Sequence, residues 1–193
     1  MEEIEKILSE CRLNLERGRA VATGIGIFGL LVREEDGVPK ALLRRRLEQD
    51  SLYQQDLSGK WELTGGGMDL AHFIDVPRGD YQEVIIRTLK QEFMEEAGLR
   101  FVALVEPLAL FPAFLRREYT PRDSQEERVT IDLAFVMALP WPGVVETEEF
   151  HRKMGRGELH FFARTDLSSI EIVSPRTTFL IETGFVAYKL MRG

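Results

Sequence analysis

The chain has 193 residues, 44% of them apolar, which is enough for one well-packed domain and too few for two ordinary ones. Its 25 basic and 32 acidic residues give a net charge of −7, which disfavours non-specific binding to nucleic acid or to a membrane surface. The single Cys11 cannot form an internal disulfide, and no apolar run reaches membrane-spanning length, so we expect a cytoplasmic protein.

The first predicted element is an amphipathic helix over residues 2–17. Its apolar residues recur at helical spacing and are Ile4, Ile7, Leu8, Cys11 and Leu15. Such a stripe packs either on the rest of the domain or on a partner subunit, so a homodimer is a reasonable expectation. We assign residues 1–18 to this helix and residues 19–193 to the main domain.

Strands and helices then follow in an irregular order. The run AVATGIGIFGLLV predicts a buried strand, EEDGVP a turn, and KALLRRRL the returning strand of a hairpin. Further strands are predicted at WELTGG, LRFVALVEPLALFPAF, RVTIDLAFVMAL and ELHFFAR, and helices at DYQEVIIRTLKQEFMEEA and SPRTTFLIETGFVAYKLM. This order lacks a regular βαβ alternation and therefore predicts a mixed sheet covered by helices on both faces.

The segment GIGIFG, Gly24 to Gly29, satisfies the glycine pattern of dinucleotide-binding folds. That pattern binds pyrophosphate only where a strand turns into the first residues of a helix. Here the apolar run continues as LLV. We therefore interpret these glycines as strand positions that another element approaches closely.

Three glutamates, Glu92, Glu95 and Glu96, lie within five residues of the predicted helix at 80–97. At about 3.6 residues per turn all three project to one side, while Leu89 and Phe93 lie on another. Like charges at this spacing cost about a few tenths of a kcal/mol per pair unless a cation joins them. The pattern is open to two interpretations: a solvated acidic helix face, or a site for a hard divalent cation such as Mg²⁺.

The segment from GGGMDL to EEAGL resembles the signature of the Nudix hydrolases. That signature runs glycine, five residues, glutamate, seven residues, then Arg-Glu-apolar-x-Glu-Glu-x-Gly-apolar. Here Glu83 is followed by seven residues and then by Gln91 to Leu99, which fit at every position except Gln91. The segment TLKQEF, with GGGMD upstream, is most similar to the ADP-ribose pyrophosphatase branch. The resemblance implies a Nudix-type α/β/α sandwich with a mixed central sheet over about residues 20–190.

The resemblance also implies an activity. A Nudix hydrolase would cleave the pyrophosphate linkage of a nucleoside diphosphate joined to another moiety, with ADP-ribose or a nucleotide sugar favoured, and would use Mg²⁺ or Mn²⁺. The implied metal ligands are Glu92, Glu95, Glu96 and, at the edge of the site, Glu83. The implied substrate-binding glycines are Gly66 and Gly67, where a Cβ would crowd the phosphate oxygens. The alternative is a catalytically weak Nudix-fold domain that binds a nucleotide as a sensor.

The general base and the substrate anchors are open. Glu95 is the first candidate for the base, Glu92 is a second catalytic carboxylate, and the candidates from predicted loops are Glu148, Glu149 and Glu158. Arg44 and Arg46 share one face of a predicted strand and either bind phosphate or form a solvated basic edge. The aromatic residues that either stack on a base or pack in the core are Trp61, Phe111 and Phe114. We interpret His72 and His160 as ordinary loop or strand histidines.

Two departures from the signature bear on the site. Fifteen residues separate Gly67 from Glu83 where the family has five, so we expect an inserted loop within residues 68–82, beside the site. Gln91 replaces an arginine that is expected in the family to orient the glutamates, and it carries no charge. We therefore expect weaker orientation, or compensation by a neighbour such as Arg87 on the same helix face.

Overall fold

The computed structural model describes residues 2–17, 25–47, 57–68, 70–77, 80–102, 110–119 and 129–192. Within these ranges the helices are α1 (Glu2–Glu16), α2 (Tyr81–Glu92), α3 (Glu148–Gly155) and α4 (Pro175–Arg192). The strands are β1 (Ile25–Glu35), β2 (Val38–Arg45), β3 (Trp61–Glu62), β4 (Thr64–Gly67), β5 (Leu99–Phe101), β6 (Leu110–Tyr119), β7 (Val129–Pro140), β8 (Val144–Glu146) and β9 (Leu159–Ala163). None of the helices in the described part is long and apolar enough to cross a membrane.

The predicted elements are found with three differences. WELTGG forms two short strands, β3 and β4, rather than one. LRFVALVEPLALFPAF contributes to β5 and β6, and residues 103–109 between them lie outside the described residues, as do residues 18–24 before β1. The sequence analysis did not predict α3 or the neighbouring β8, because eight and three residues are too short for a periodic pattern to stand out.

β1 is the centre of a seven-stranded mixed sheet. One of its edges pairs with the parallel strand β7 from Ile25 to Val32. Its other edge is divided between two antiparallel partners, β4 along Gly26–Gly29 and β2 along Val32–Glu35. The order is β3-β2-β1-β7-β6, with β9 added to β2, and β5 and β8 form a separate pair. Because β1 is the central strand, its pairing with β4 places the glycine-rich β4 in the middle of the domain.

The two faces of the sheet carry separate hydrophobic cores. Alternate β1 residues point to opposite faces, so Ile27 and Leu31 enter one cluster, while Leu30 and Val32 enter the other. The first cluster is covered by α1, α2 and α3, and the second by α4. Helices therefore lie on both faces of a mixed sheet, which confirms the predicted architecture.

The N-terminal helix packs within its own chain. Leu8, Cys11 and Leu15 are buried in the same cluster as Phe73 and Val76, which belong to the predicted insertion. Burial raises the pKa of the Cys11 thiol to about 12, so the thiol stays protonated at neutral pH. Of the two expectations for the apolar stripe, packing on the domain is the one observed. The homodimer stays a prediction. Leu8, Cys11 and Leu15 are buried within the chain, so they are not available as its interface.

The strand glycines allow a close helix–sheet approach. β1 continues as a strand through Glu35, so no helix begins after Gly29 and the dinucleotide interpretation is excluded, although Gly24 lies outside the described residues. A Cβ on Gly29 would lie 2.3 Å from Cε2 of Phe93, the first residue after α2. The predicted close approach is therefore confirmed, and it sets how near α2 lies to the sheet.

We expect Gly29→Ala to destabilise the fold by about 1–3 kcal/mol, because the added methyl group overpacks a buried ring that has no room to move. The free energy of unfolding, measured by urea denaturation, tests this. Gly155→Ala is the matched control, since a Cβ there meets nothing within 4 Å. Equal stability of the two variants would show that Phe93 does not fix the helix against β1.

Candidate active site

The helix that carries the three glutamates changes its winding at the site. After Glu92 the chain continues in a wider, π-type turn over Phe93–Ala97 and ends at Gly98. Gly98 has a φ of 67°, in the left-handed region, and a Cβ there would lie 2.6 Å from the backbone nitrogen of Phe150. Only glycine fits this end of the helix. Turns of the π type occur mostly at functional sites.

α3 holds the end of this turn in place. Lys153 Nζ donates hydrogen bonds to the backbone oxygens of Glu95 and Glu96, at 3.0 and 2.7 Å. Thr147, which precedes α3, donates from Oγ1 to the Gly98 oxygen at 2.7 Å. These donors satisfy carbonyl groups that a helix end otherwise leaves unpaired, and the positive charge suits the negative end of the helix. α3 therefore fixes the backbone beneath two of the glutamates.

Glu96 is a buried carboxyl group held at the glycine strand. The backbone N–H of Gly65 donates to its Oε2 at 3.0 Å, and Arg44 lies 2.8 Å from its Oε1. Burial, with smaller contributions from the neighbouring Glu92 and Glu62, raises the pKa of Glu96 to about 8, against the lowering effects of Arg44 and the Gly65 N–H. Two donors are thus too few to keep this carboxylate ionised at neutral pH, and the site favours an added cation.

Glu92 occupies a cradle that only glycine leaves open. A Cβ on Gly66 would lie 2.1 Å from Oε1 and 2.6 Å from Cδ of Glu92. At Gly65, with a φ of 154°, a Cβ would lie 2.2 Å from the Ile27 backbone oxygen. Gly67, the last residue of β4, pairs with Gly26 and is exposed. Glu96 and Glu92 therefore meet the adjacent glycines Gly65 and Gly66, respectively, from the helix side.

Arg44 and Arg46 share a face, as the strand pattern predicts, and both contact Glu62. Arg44 forms a short ion pair with Glu62, and Arg46 Nε lies 2.9 Å from Glu62 Oε1. The side chains of Arg44 and Arg46 are only 14% and 11% exposed, so they do not form a solvated basic edge. The sequence analysis missed Glu62. The available signal was a carboxylate between the apolar neighbours Trp61 and Leu63 of a predicted strand.

Glu95 contacts a different part of the protein from the glycine strand that Glu92 and Glu96 meet. Its exposed side chain accepts a hydrogen bond from Gln91 Nε2 at 2.9 Å, and Gln91 Oε1 lies 2.7 Å from Nε2 of the buried His72. Glu95 has no described contact with the glycine strand, and no three His, Cys, Asp or Glu side chains of the described ranges group as ligands, so the expectation that all three glutamates project to one side stays a prediction. His72 was missed as a site residue.

Arg87 does not replace the missing arginine beside Glu95. Its Nε lies 2.9 Å from Glu83 Oε1, and its NH1 donates to the Ile74 backbone oxygen at 2.6 Å. The described contacts of Arg87 orient Glu83, so the predicted compensation is observed for that glutamate and not for Glu95, whose described partner is Gln91. Arg87 thereby ties Glu83, in the first turn of α2, to the insertion. Arg78 and Gly79 of the predicted turn in this insertion lie outside the described residues.

The other candidates lie apart from Glu92 and Glu96. Glu148 and Glu149 belong to the first turn of α3, so the expectation that they lie in a loop is wrong, and Glu149 pairs with Arg152. Glu158 lies just before β9, 3.7 Å from Arg156. Trp61 packs edge-on against Phe162 in the core on the opposite face of the sheet. The Phe111 and Phe114 side chains lie outside the described set.

The donor set fits a hydrated divalent ion better than a protein-enclosed one. Within the described ranges no three His, Cys, Asp or Glu side chains converge as ligands for one ion. Mg²⁺, however, usually keeps several waters and is bound by one or two carboxylates together with substrate phosphates. Glu92 and Glu96, side by side at the open glycine strand, supply that number. Burial is the main cause of the raised pKa of Glu96 and the charges of Glu92 and Glu62 add to it, so positive charge bound there would favour its ionised form.

No family model matches the sequence, and no curated protein matches it. Several solved structures, however, are similar to this chain. A mutT/nudix family protein from Listeria innocua is 18% identical, with 88% of this chain and 96% of that chain covered and a TM-score of 0.49. The Nudix hydrolase RenU from M. Smegmatis is 14% identical, with 86% of each chain covered and a TM-score of 0.48.

Shewanella oneidensis NrtR, in its complex with a 27mer DNA, is 13% identical with a TM-score of 0.45. The match covers 83% of this chain, but the chain spans only 60% of the length of that NrtR chain. The similarity is to proteins that carry the Nudix name.

We expect stability to fall with rising pH because of Glu96. The pKa of Glu96 is about 8 in the folded state and 4.5 as a reference, so the folded state binds this proton more tightly. The corresponding stabilisation is complete below about pH 4.5 and is lost as the pH rises through about 8. Glu96→Gln removes the titration, so its free energy of unfolding in EDTA should change less between these two values than that of the wild type.

Glu83→Gln is the control for this comparison, because the Glu83 side chain is 42% exposed and pairs with Arg87 on the same helix. It should follow the wild-type pH profile. If Glu96→Gln also followed that profile, Glu96 would be ionised throughout and the site would hold enough positive charge already.

Proposed function

We propose that this chain is a metal-dependent Nudix hydrolase that cleaves the pyrophosphate linkage of a nucleoside diphosphate joined to another moiety. ADP-ribose or a nucleotide sugar is the favoured substrate, and Mg²⁺ or Mn²⁺ the cofactor. One observation carries the proposal: the buried Glu96 is held beside Glu92 at an open glycine strand, with a pKa raised to about 8. The substrate preference rests on the likeness of TLKQEF and GGGMD to the ADP-ribose pyrophosphatase branch.

The charges at the site favour an ion that arrives with the substrate. Two guanidinium groups, Arg44 and Arg46, face three carboxyl groups, Glu62, Glu92 and Glu96. A diphosphate would add further negative charge to this group. Arg44 and Arg46 alone do not offset it, because both already contact Glu62. A divalent ion between carboxylates and phosphate resolves both the repulsion and the raised pKa.

The residues have separable roles in this proposal. Glu92 and Glu96 hold the ion, and Glu83 assists at the edge of the site. When bound, the ion neutralises charge that builds on the phosphoryl oxygens. Gly66 and Gly67 let the diphosphate approach the backbone. Arg44 and Arg46, next to Glu96, donate to phosphate oxygens and orient the linkage.

Glu95 is the proposed general base. A base must reach a water molecule on the open side of the phosphate, and the exposed Glu95 carboxylate is not committed to the glycine strand. Gln91 donates one hydrogen bond to Glu95 Oε1 and so fixes its orientation. Glu95 belongs to the same turn as Glu96, whereas Glu148 and Glu149 lie on α3 and Glu158 lies just before β9, which favours Glu95 over them.

We expect turnover of ADP-ribose or a nucleotide sugar when the protein is incubated with Mg²⁺ or Mn²⁺. The panel includes both, together with a dinucleoside polyphosphate and nucleoside triphosphates, and kcat/KM for each is measured from phosphate-terminated products. Glu92→Gln and Glu96→Gln should lower kcat/KM by at least about 100-fold, beyond the loss typical of an outer-shell residue. Glu182→Gln is the matched control, because Glu182 lies on α4 in an exposed ion pair with Arg164.

The panel also separates the sensor alternative. If no substrate turned over, and a nucleotide raised the melting temperature in EDTA, the chain would be a nucleotide-binding domain without hydrolytic activity. Loss of activity in Glu182→Gln as large as in Glu96→Gln would show that the effect is not local to the site.

We expect Gly66→Ala to lower activity while leaving the fold intact. The added methyl group would meet the end of a flexible glutamate side chain, so Glu92 moves and the backbone does not. The free energy of unfolding should stay within about 1 kcal/mol of wild type, and kcat/KM should fall at least about 10-fold. Gly65→Ala, whose Cβ would meet the Ile27 backbone, should instead destabilise the fold. Full activity of Gly66→Ala would show that the Glu92 position is not required.

A further inference from the structure

The described part of the insertion packs beneath α2. Leu70–Phe73 forms one tight helical turn, in which His72 and Phe73 are 5% and 2% exposed. Phe73 enters the same core as α1 and α2, and the Ile74 oxygen accepts a hydrogen bond from Arg87. This segment is therefore part of the core that supports the helix, and His72 is presented to α2 from a fixed backbone.

His72 connects the buried side of α2 to the exposed side. Its Nδ1 lies 3.1 Å from Oγ1 of the fully buried Thr88, and its Nε2 lies 2.7 Å from Gln91 Oε1. Gln91 Nε2 then donates to Glu95 Oε1 at 2.9 Å. Thr88, Gln91 and Glu95 lie three and four residues apart, so they share one side of the helix.

The chemistry of the groups fixes the direction of donation. An ionised Glu95 only accepts hydrogen bonds, so Gln91 must present its amide nitrogen to Glu95 and its oxygen to His72. His72 Nε2 must then carry a proton and donate it to that oxygen. Each donation polarises the next group in the same sense, which strengthens the final bond to Glu95. Without His72, the Gln91 amide oxygen loses its donor in this chain of bonds, and the bond to Glu95 alone is left to hold the amide.

We propose that His72 is a positioning residue that orients Gln91, and through it Glu95, and that the insertion thereby supplies the orientation that the missing arginine would give. The inference rests on the proposed function for its catalytic meaning. A histidine with a merely structural role would need its Thr88 contact and its packing in the core. The Gln91 contact leads outward to an exposed carboxylate and adds nothing to that packing.

Two substitutions separate the two roles. His72→Asn places an amide near the Nδ1 position, which keeps the Thr88 side and loses the reach to Gln91. His72→Gln extends to the Nε2 position and keeps a donor for Gln91. We expect His72→Asn to lower kcat/KM about 10- to 100-fold, mostly through kcat, and His72→Gln to recover most of that loss. His160→Asn, an exposed histidine on the opposite face, is the control and should match wild type.

A double-mutant cycle tests whether His72 acts through Gln91. Once Gln91→Ala has removed the link, His72→Asn should cause no further loss, so the effects of the two changes should be strongly non-additive. Additive losses would overturn the proposal, because His72 would then act by another route. Equal kcat/KM in His72→Asn and wild type would overturn it as well.

A second readout needs neither metal nor substrate. The side-chain amide signals of Gln91 in a ¹H–¹⁵N NMR spectrum are assigned by their loss in Gln91→Ala. They should shift in His72→Asn, stay near the wild-type position in His72→Gln, and be unaffected in His160→Asn. If the wild type hydrolysed nothing in the substrate panel, the proposed function would fail, and these signals would still decide the His72 inference. Amide signals unmoved in His72→Asn would overturn it.

Discussion

The close approach of the helix end to the glycine strand is the constraint on which the site depends. Gly29 admits the Phe93 ring against β1, and Gly66 admits the Glu92 carboxylate against β4. Both contacts lie within the space that a single methyl group would fill. Because β4 and β7 flank the same part of β1, the sheet cannot shift to relieve either contact. The fold thus places two carboxyl groups of the helix beside backbone that a phosphate can reach.

That placement has an electrostatic consequence. Glu96 is taken out of water and set near Glu92 and Glu62, and its pKa rises to about 8 although Arg44 and the Gly65 N–H both favour the ionised form. The free protein therefore keeps a site whose charges are incompletely balanced. Such an arrangement costs stability and is consistent with a function that supplies positive charge from outside. A solvated acidic helix face would not bury Glu96 in this way.

The sequence predicted the elements and one half of the site, for identifiable reasons. The helical periodicity of α2 and the apolar runs of β1 and α4 predicted these elements, and the glycine and glutamate spacing predicted Glu92, Glu96 and Gly66 as site residues, which the structure brings together. The grouping of Glu95 with Glu92 and Glu96 assumed a regular helix, whereas the chain forms a π-type turn over Phe93–Ala97, which the local sequence does not predict. Glu62, His72 and Lys153 were missed because each reaches the site through tertiary packing, from a short strand, the insertion and α3.

The two departures from the signature, the insertion and Gln91, are in direct contact in the structure. Gln91 cannot orient a glutamate by charge, since its side-chain amide is neutral. The insertion places His72 against one end of that amide, which leaves the other end to Glu95. A longer loop and a lost arginine are thereby linked, because the extra residues provide the partner that the neutral side chain needs. Arg87, on the same helix, pairs with Glu83 and donates a hydrogen bond to the Ile74 oxygen of the insertion. It therefore does not take the place of the missing arginine beside Glu95.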